Sequence, residues 1–188
     1  SDLKISRIGM GGNLFGAFVT ERETHKILDG AEELGINFID TADVYGKYGS
    51  EQIIGNYLRN TTHDWVVATK LGKESDKPYT FNAALIESKI NQSLKQLQVE
   101  TIDLYQLHNF NPKMPIGDTL FVLNQMVKLG KIRYYGVSNL TLEQLRDVFS
   151  SPVEHTKLVS CQLGLNMLKR KNMDVMSLCE QKGIGILA

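Results

Sequence analysis

Short apolar runs alternate along this chain with longer segments whose apolar residues recur at helical spacing. A short apolar run between turn residues is typical of a buried strand, and apolar positions three and four residues apart are typical of a helix with one face on a core. The pattern predicts seven strands, at residues 4–10, 38–40, 65–70, 102–108, 132–137, 158–162 and 185–188.

Six helices are predicted between these strands. Thr20 with Glu23 and Thr141 with Gln144 match the capping box, in which a hydroxyl and an acid or amide three residues later satisfy the first backbone N–H groups of a helix. Gly35 and Gly130 follow two of the periodic segments and are typical helix stops. The predicted helices cover residues 20–34, 50–58, 82–97, 115–129, 141–148 and 173–182.

Strict alternation of strands and helices predicts repeated βαβ units and a parallel sheet, either doubly wound or closed into a (β/α)₈ barrel. The segment Gly9-Met10-Gly11-Gly12 does not match a dinucleotide-binding fingerprint, because Leu14 stands where the third glycine is required. This removes one argument for the doubly wound alternative.

Polar residues stand at the carboxyl ends of five predicted strands, and they favour the barrel. In a barrel these ends share one mouth, whereas in an open sheet they spread along an edge. We therefore predict an α/β chain with a TIM-type (β/α)₈ barrel, a single domain over residues 1–188 that is incomplete in its seventh strand. The polar residues at the carboxyl ends of these five strands are Asp40, Lys70, His108, Ser138 with Asn139, and Gln162.

Composition excludes several classes of partner. The 188 residues include 21 basic and 21 acidic side chains, which argues against a nucleic acid or an anionic membrane surface. The sequence contains no run of about 18 apolar residues, so we expect no transmembrane helix. The N-terminal residues lack the apolar centre of a signal peptide. Cys161 and Cys179 lie in apolar segments, so we expect buried, reduced thiols and a cytoplasmic location.

The segment 36–46 carries the candidate chemistry, because its apolar strand ends in Asp40 and Tyr45 follows five residues later. A free tyrosine, with a pKa of about 10, is a poor acid at neutral pH, and a nearby cation improves it by stabilising the phenolate. Lys70 would supply that cation, Asp40 would keep Lys70 charged, and His108 would orient the substrate oxygen. Singly, each residue has an ordinary structural explanation; their coincidence at neighbouring strand ends favours a site.

These residues resemble the aldo-keto reductase family over nearly the whole chain. The resemblance implies a barrel that binds a nicotinamide cofactor and reduces carbonyl groups, with a catalytic tetrad at Asp40, Tyr45, Lys70 and His108. It also implies that Ser138, Asn139 and Gln162 bind the nicotinamide carboxamide. The matching segments are residues 38–46 with Ser50-Glu51, 67–70, 102–108, 130–139 and Gln162.

We therefore expect an oxidoreductase that passes hydride from NADPH to an aldehyde or ketone, with Tyr45 as general acid, no metal, and NAD not excluded as cofactor. Three alternatives stay open: a Schiff-base lyase that uses Lys70, a non-catalytic regulatory subunit, and an inactive fragment. Because the family's residues for the cofactor phosphates would follow Ala188, we expect the 188-residue chain to bind NADPH weakly and to reduce carbonyls slowly or not at all.

Overall fold

In the part of the chain that the structure describes, seven strands form one parallel sheet in which spatial order follows chain order. The computed structural model describes residues 1–71, 82–111, 114–168 and 170–188, and the statements below refer to them. The strands are β1 (Met10–Gly11), β2 (Phe38–Asp40), β3 (Val66–Leu71), β4 (Ile102–Leu107), β5 (Ile132–Ser138), β6 (Leu158–Gln162) and β7 (Gly185–Leu187).

In the described ranges, one α-helix lies between each strand and the next, from β1 to β7. Both predicted capping boxes are confirmed, with Thr20 and Thr141 accepting from the backbone N–H three residues later. No helix in these ranges is both long and apolar enough to cross a membrane. The helices are α1 (Glu21–Glu33), α2 (Ser50–Leu58), α3 (Ala83–Leu97), α4 (Ile116–Lys128), α5 (Leu142–Ser150) and α6 (Met173–Gln181).

The sheet is curled, as a hydrogen bond across its concave face shows. Gln162 Nε2 on β6 donates to Asp40 Oδ2 on β2 at 2.9 Å. In a flat sheet, strands four places apart would lie about 19 Å from each other. The strand order also lacks the reversal of a doubly wound sheet. Together these features confirm the predicted TIM-type barrel class.

Apolar side chains fill two separate spaces. The larger core lies between the strands and the helices, and it includes the free, buried thiols Cys161 and Cys179. The smaller core fills the interior of the curled sheet near the amino ends of the strands, and Leu3 packs against it. This interior apolar layer consists of Phe38, Val66, Ala68, Leu104 and Tyr134.

The predicted first strand over residues 4–10 is wrong except at Met10. Only Met10–Gly11 pairs with β2, and Ile8 is 69% exposed. The backbone before it is held by side chains: Ser6 N–H donates to Asn37 Oδ1 at 2.7 Å, and Asn37 Nδ2 donates to the Lys4 carbonyl at 2.9 Å. These bonds replace a strand ladder, so an apolar-looking run forms an irregular segment.

Candidate active site

Strand alternation sets which side chains enter the mouth of the curled sheet. Successive strand residues point to opposite faces, so Lys70 lies on the same face as Ala68 of the interior apolar layer. Asp40 follows Phe38 in the same way on β2, and His108 continues the inward-facing row of β4. The polar residues of the mouth therefore follow directly after the interior apolar layer along each strand.

Lys70 and Asp40 form an ion pair at the centre of this mouth. Lys70 Nζ donates to Asp40 Oδ2 at 2.7 Å and to the Thr41 carbonyl at 2.8 Å. Lys70 is fully buried, and burial lowers its pKa, whereas the Asp40 carboxylate opposes that shift. A buried ammonium without such a partner would be strongly unfavourable.

Tyr45 lies over this pair. The Lys70 ammonium is 4.9 Å from the centroid of the Tyr45 ring, and the rings of Tyr45 and His108 meet edge to face with centroids 5.8 Å apart. Burial, and then the charge of Asp40, raise the pKa of Tyr45, so the net shift is opposite to the lowering that we expected from Lys70. The lysine lies beside the ring face and is bonded to Asp40, and this carboxylate offsets its charge.

His108 completes the group from the end of β4. Burial, followed by the positive charge of Lys70, lowers the pKa of His108, so its imidazole is neutral at pH 7. Its Nδ1 atom is buried without a hydrogen-bond partner in the described part of the chain. All four residues of the predicted tetrad therefore lie together in one mouth.

The loop that carries Tyr45 is held at both sides. Ser50 Oγ lies 2.8 Å from Thr41 Oγ1 and donates to the Gly12 carbonyl at 2.8 Å. Gly46 has φ of +57°, and a side chain there would collide with the carbonyl oxygen of Phe15. This close approach explains why glycine directly follows Tyr45.

A second buried ion pair ties the same loop to α3. Lys89 Nζ lies 3.2 Å from Asp43 Oδ2, with Asp43 only 2% exposed. The Asp43 backbone N–H also donates to the Lys70 carbonyl at 3.3 Å. This pair is not predictable from residue spacing, because Asp43 lies between Asp40 and Tyr45 whereas its partner is on a distant helix.

The predicted cofactor residues also lie together, beside His108. Ser138 and Gln162 are register partners at the ends of β5 and β6. Asn139 Nδ2 donates to the His108 carbonyl at 3.0 Å and to Ser138 Oγ at 3.2 Å, and Asn139 N–H donates to the Gln162 carbonyl at 3.0 Å. Ser138, Asn139 and Gln162 therefore form one polar wall of the mouth.

Gln106 is a member of the site that the sequence analysis missed. It is fully buried, and its Nε2 donates to Asp40 Oδ1 at 3.1 Å. The available signal was its position two residues before His108, which puts both on the same face of β4. Asp40 thus receives hydrogen bonds from Lys70, Gln106 and Gln162.

Comparisons with known proteins find similar sequences and similar folds. The profile of the aldo/keto reductase family matches residues 7–188. The uncharacterized oxidoreductase YqkF of Bacillus subtilis is 32% identical over all of this chain, which spans 61% of YqkF. A glycerol dehydrogenase from Gluconobacter oxydans superposes with a TM-score of 0.85 at 34% identity, over 100% of this chain and 60% of the dehydrogenase.

A second solved structure carries a cofactor. An aldo-keto reductase from Klebsiella pneumoniae in complex with NADPH superposes with a TM-score of 0.87 at 25% identity, over 98% of this chain and 63% of the reductase. The chain therefore spans about three fifths of the length of these relatives.

Proposed function

The chain belongs to the aldo/keto reductase family of oxidoreductases, and from this premise we propose that it reduces the carbonyl group of an aldehyde or ketone with NADPH. One observation carries the proposal: Tyr45, Lys70 and His108 converge on one point of the mouth, with Asp40 directly behind Lys70. A proton donor, a buried cation and a neutral imidazole in contact can protonate and orient a carbonyl oxygen while a bound cofactor supplies hydride to the carbon.

Tyr45 is the proton donor in this mechanism. Its raised pKa keeps the hydroxyl protonated at neutral pH, so the acid form is present before the reaction. The proton passes to the carbonyl oxygen as negative charge develops on that atom. The Lys70 ammonium beside the ring stabilises the phenolate that is left behind.

Asp40 and His108 support this transfer in different ways. Asp40 holds Lys70 in its charged form against the effect of burial. His108, neutral at pH 7, provides an uncharged ring nitrogen to hydrogen-bond the same substrate oxygen and fix its direction. Neither group needs to change its charge during the reaction.

The polar wall of Ser138, Asn139 and Gln162 fits a nicotinamide carboxamide, because it combines hydroxyl and amide groups that both donate and accept. Bound NADPH would supply the hydride, with the wall fixing the nicotinamide beside Tyr45 and His108. The Klebsiella pneumoniae neighbour in complex with NADPH supports this choice of cofactor. NAD in place of NADP is an alternative, and comparing the binding of NADH with that of NADPH distinguishes the two.

The Schiff-base alternative is less well supported. A lysine nucleophile needs a neutral, accessible amine. Lys70 Nζ is fully buried and donates to both Asp40 and the Thr41 carbonyl. A carbonyl carbon would have to displace both bonds to reach it.

The test compares two tyrosine-to-phenylalanine variants. In the full-length protein, with NADPH and a panel of aldehydes and ketones, Tyr45→Phe should lose about 10²–10⁴ in kcat, the contribution of a general acid. NADPH binding, followed by cofactor fluorescence, should be nearly unchanged. Tyr57→Phe is the control, since Tyr57 bonds Asp29 and Glu32 outside the mouth. Wild-type rates in Tyr45→Phe would contradict the proposal.

A further inference from the structure

One transverse layer of the barrel interior connects Asp40 to strands on the far side of the mouth. Lys70 on β3 pairs in register with Gln106 on β4, and Gln106 pairs with Gly136 on β5. Gly136 in turn pairs with Ser160 on β6. These residues are thus lateral neighbours at one level of the sheet.

A register shift produces the last of these pairings. Tyr135 pairs with Leu158, whereas the next residue, Gly136, pairs with Ser160, so Val159 is an extra residue on β6. Such a bulge re-aims the side chains that follow it. Here it places Ser160 rather than Val159 beside Gly136.

Gly136 leaves the space through which the flanking strands interact. A Cβ atom at this position would collide with Ser160 Oγ and lie 3.2 Å from Gln106 Cγ. Without that atom, Ser160 Oγ donates to Gln106 Oε1 at 3.4 Å across the glycine. The serine therefore contacts the oxygen end of the amide, and the NH₂ end is directed to Asp40.

The two oxygens of Asp40 are held by different groups. Oδ2 accepts from Lys70 at 2.7 Å and from Gln162 at 2.9 Å, whereas Oδ1 accepts from Gln106 at 3.1 Å. Gln162 belongs to the wall proposed to bind the cofactor. Gln106 is fully buried, and it bonds the Asp40 oxygen that Lys70 does not contact.

We propose that Gln106, oriented by Ser160 over Gly136, is a positioning residue that prevents rotation of the Asp40 carboxylate and so keeps it paired with Lys70. If Oδ1 loses its donor, the carboxylate rotates more freely about its Cβ–Cγ bond and the buried ammonium loses part of its stabilisation. The catalytic consequence rests on the proposed reduction; the effect on Lys70 does not.

The test replaces Gln106 by leucine, which has similar volume and no donor. The titration of Lys70 is followed by NMR of lysine labelled with ¹³C at Cε, with Lys70→Met for assignment. Among the residues that the structure describes, the titratable groups that face Lys70 are Asp40, Tyr45 and His108. The pKa of Lys70 should fall by about one pH unit in Gln106→Leu, as for the loss of a hydrogen bond to a charged group.

Steady-state kinetics provide the second measurement. In Gln106→Leu, kcat should fall about tenfold, while KM for NADPH and for the aldehyde changes less than about twofold. Leu104→Met is the matched control, because it changes a buried side chain two residues earlier on the same face without touching a polar contact. It should keep the wild-type Lys70 pKa and kcat.

Two further variants test the layer without removing the amide. Gly136→Ala should displace the Gln106 and Ser160 side chains and reproduce both changes. Ser160→Ala should give smaller changes of the same sign, since it removes only the group that orients the amide. These variants also test the positioning role of Gln106 if Gln106→Leu does not fold.

Two outcomes separate this inference from the proposed function. A wild-type Lys70 pKa in folded Gln106→Leu, or in Gly136→Ala if the leucine variant does not fold, would overturn the inference even if carbonyls are reduced. A lowered Lys70 pKa in a protein that reduces no carbonyl would support the positioning role and contradict the proposed reaction.

Discussion

The two ends of the barrel interior are built from the same strands but differ completely in chemistry. At the amino ends the inward-facing residues are apolar and pack together. Two residues further along, the same face of the same strands is polar and hydrogen-bonded around Asp40. The paired positions are Phe38 and Asp40, Ala68 and Lys70, and Leu104 and Gln106.

This difference separates stability from chemistry along each strand. The apolar end loses water-exposed surface without leaving polar groups unpaired, so its burial stabilises the fold. The polar end places a fully buried lysine in a site where its charge depends on one carboxylate. Substitutions at the two ends should therefore affect different measurements.

The largest effect is expected at the polar end. Lys70→Met removes the cation beside Tyr45, so carbonyl reduction should fall by about 10²–10⁴. Asp40→Asn should lower it less, because Lys70 stays charged in part. Turnover of wild-type size in Lys70→Met, measured with NADPH and an aldehyde, would show that the cation has no catalytic part.

The apolar end should respond in stability. Leu104→Ala creates a cavity in the interior apolar layer, where Leu104 is 3% exposed. The free energy of unfolding should fall by about 2–5 kcal/mol in urea titrations. The kcat of the folded protein should stay within about twofold; a large loss of kcat with unchanged stability would remove the distinction between the two ends.

The ion pair of Asp43 and Lys89 should give an intermediate result, because it anchors the mouth from outside the barrel. Lys89→Met removes the cation 3.2 Å from a buried carboxylate. The free energy of unfolding should fall by about 1–3 kcal/mol, and kcat should fall with it as the Tyr45 loop loosens. Lys95→Met, a lysine in the last turn of the same helix, is the control.

The smallest expected effect is on the pH profile. Burial places the pKa of Lys70 below 10.5, so the reduction rate should decline as pH rises through that lowered value and the ammonium is lost. Tyr45 cannot cause this decline below pH 10, because its own pKa is raised. The residual activity of Lys70→Met should not decline at alkaline pH. If the decline persists in this variant, it is caused by the titration of another group.

The sequence predicted those parts of the molecule that depend on local spacing. Capping boxes at Thr20 and Thr141 and the polar ends of successive strands are visible without coordinates, and they led to the barrel and the tetrad. The bond from Ser6 to Asn37 was not predictable in this way, because it joins residues 31 apart and replaces a strand.

The site contains two features that only the three-dimensional arrangement determines. Gln106 matters because Asp40, 66 residues away, lies opposite it across the curled sheet. The pKa direction of Tyr45 depends on how deeply the ring is buried and on which group the Lys70 ammonium contacts. Neither quantity follows from residue type and spacing.

The most direct measurement follows deuterium from NADPH that carries two deuterium atoms at C4 of the nicotinamide into the product of aldehyde reduction by the full-length protein. If the polar end of the barrel performs the proposed reaction, the alcohol formed by the wild type carries one deuterium on its carbinol carbon, and Tyr45→Phe forms it at least about 100-fold more slowly. An alcohol without deuterium, or a borohydride-stable adduct on Lys70 in place of any alcohol, would contradict the account.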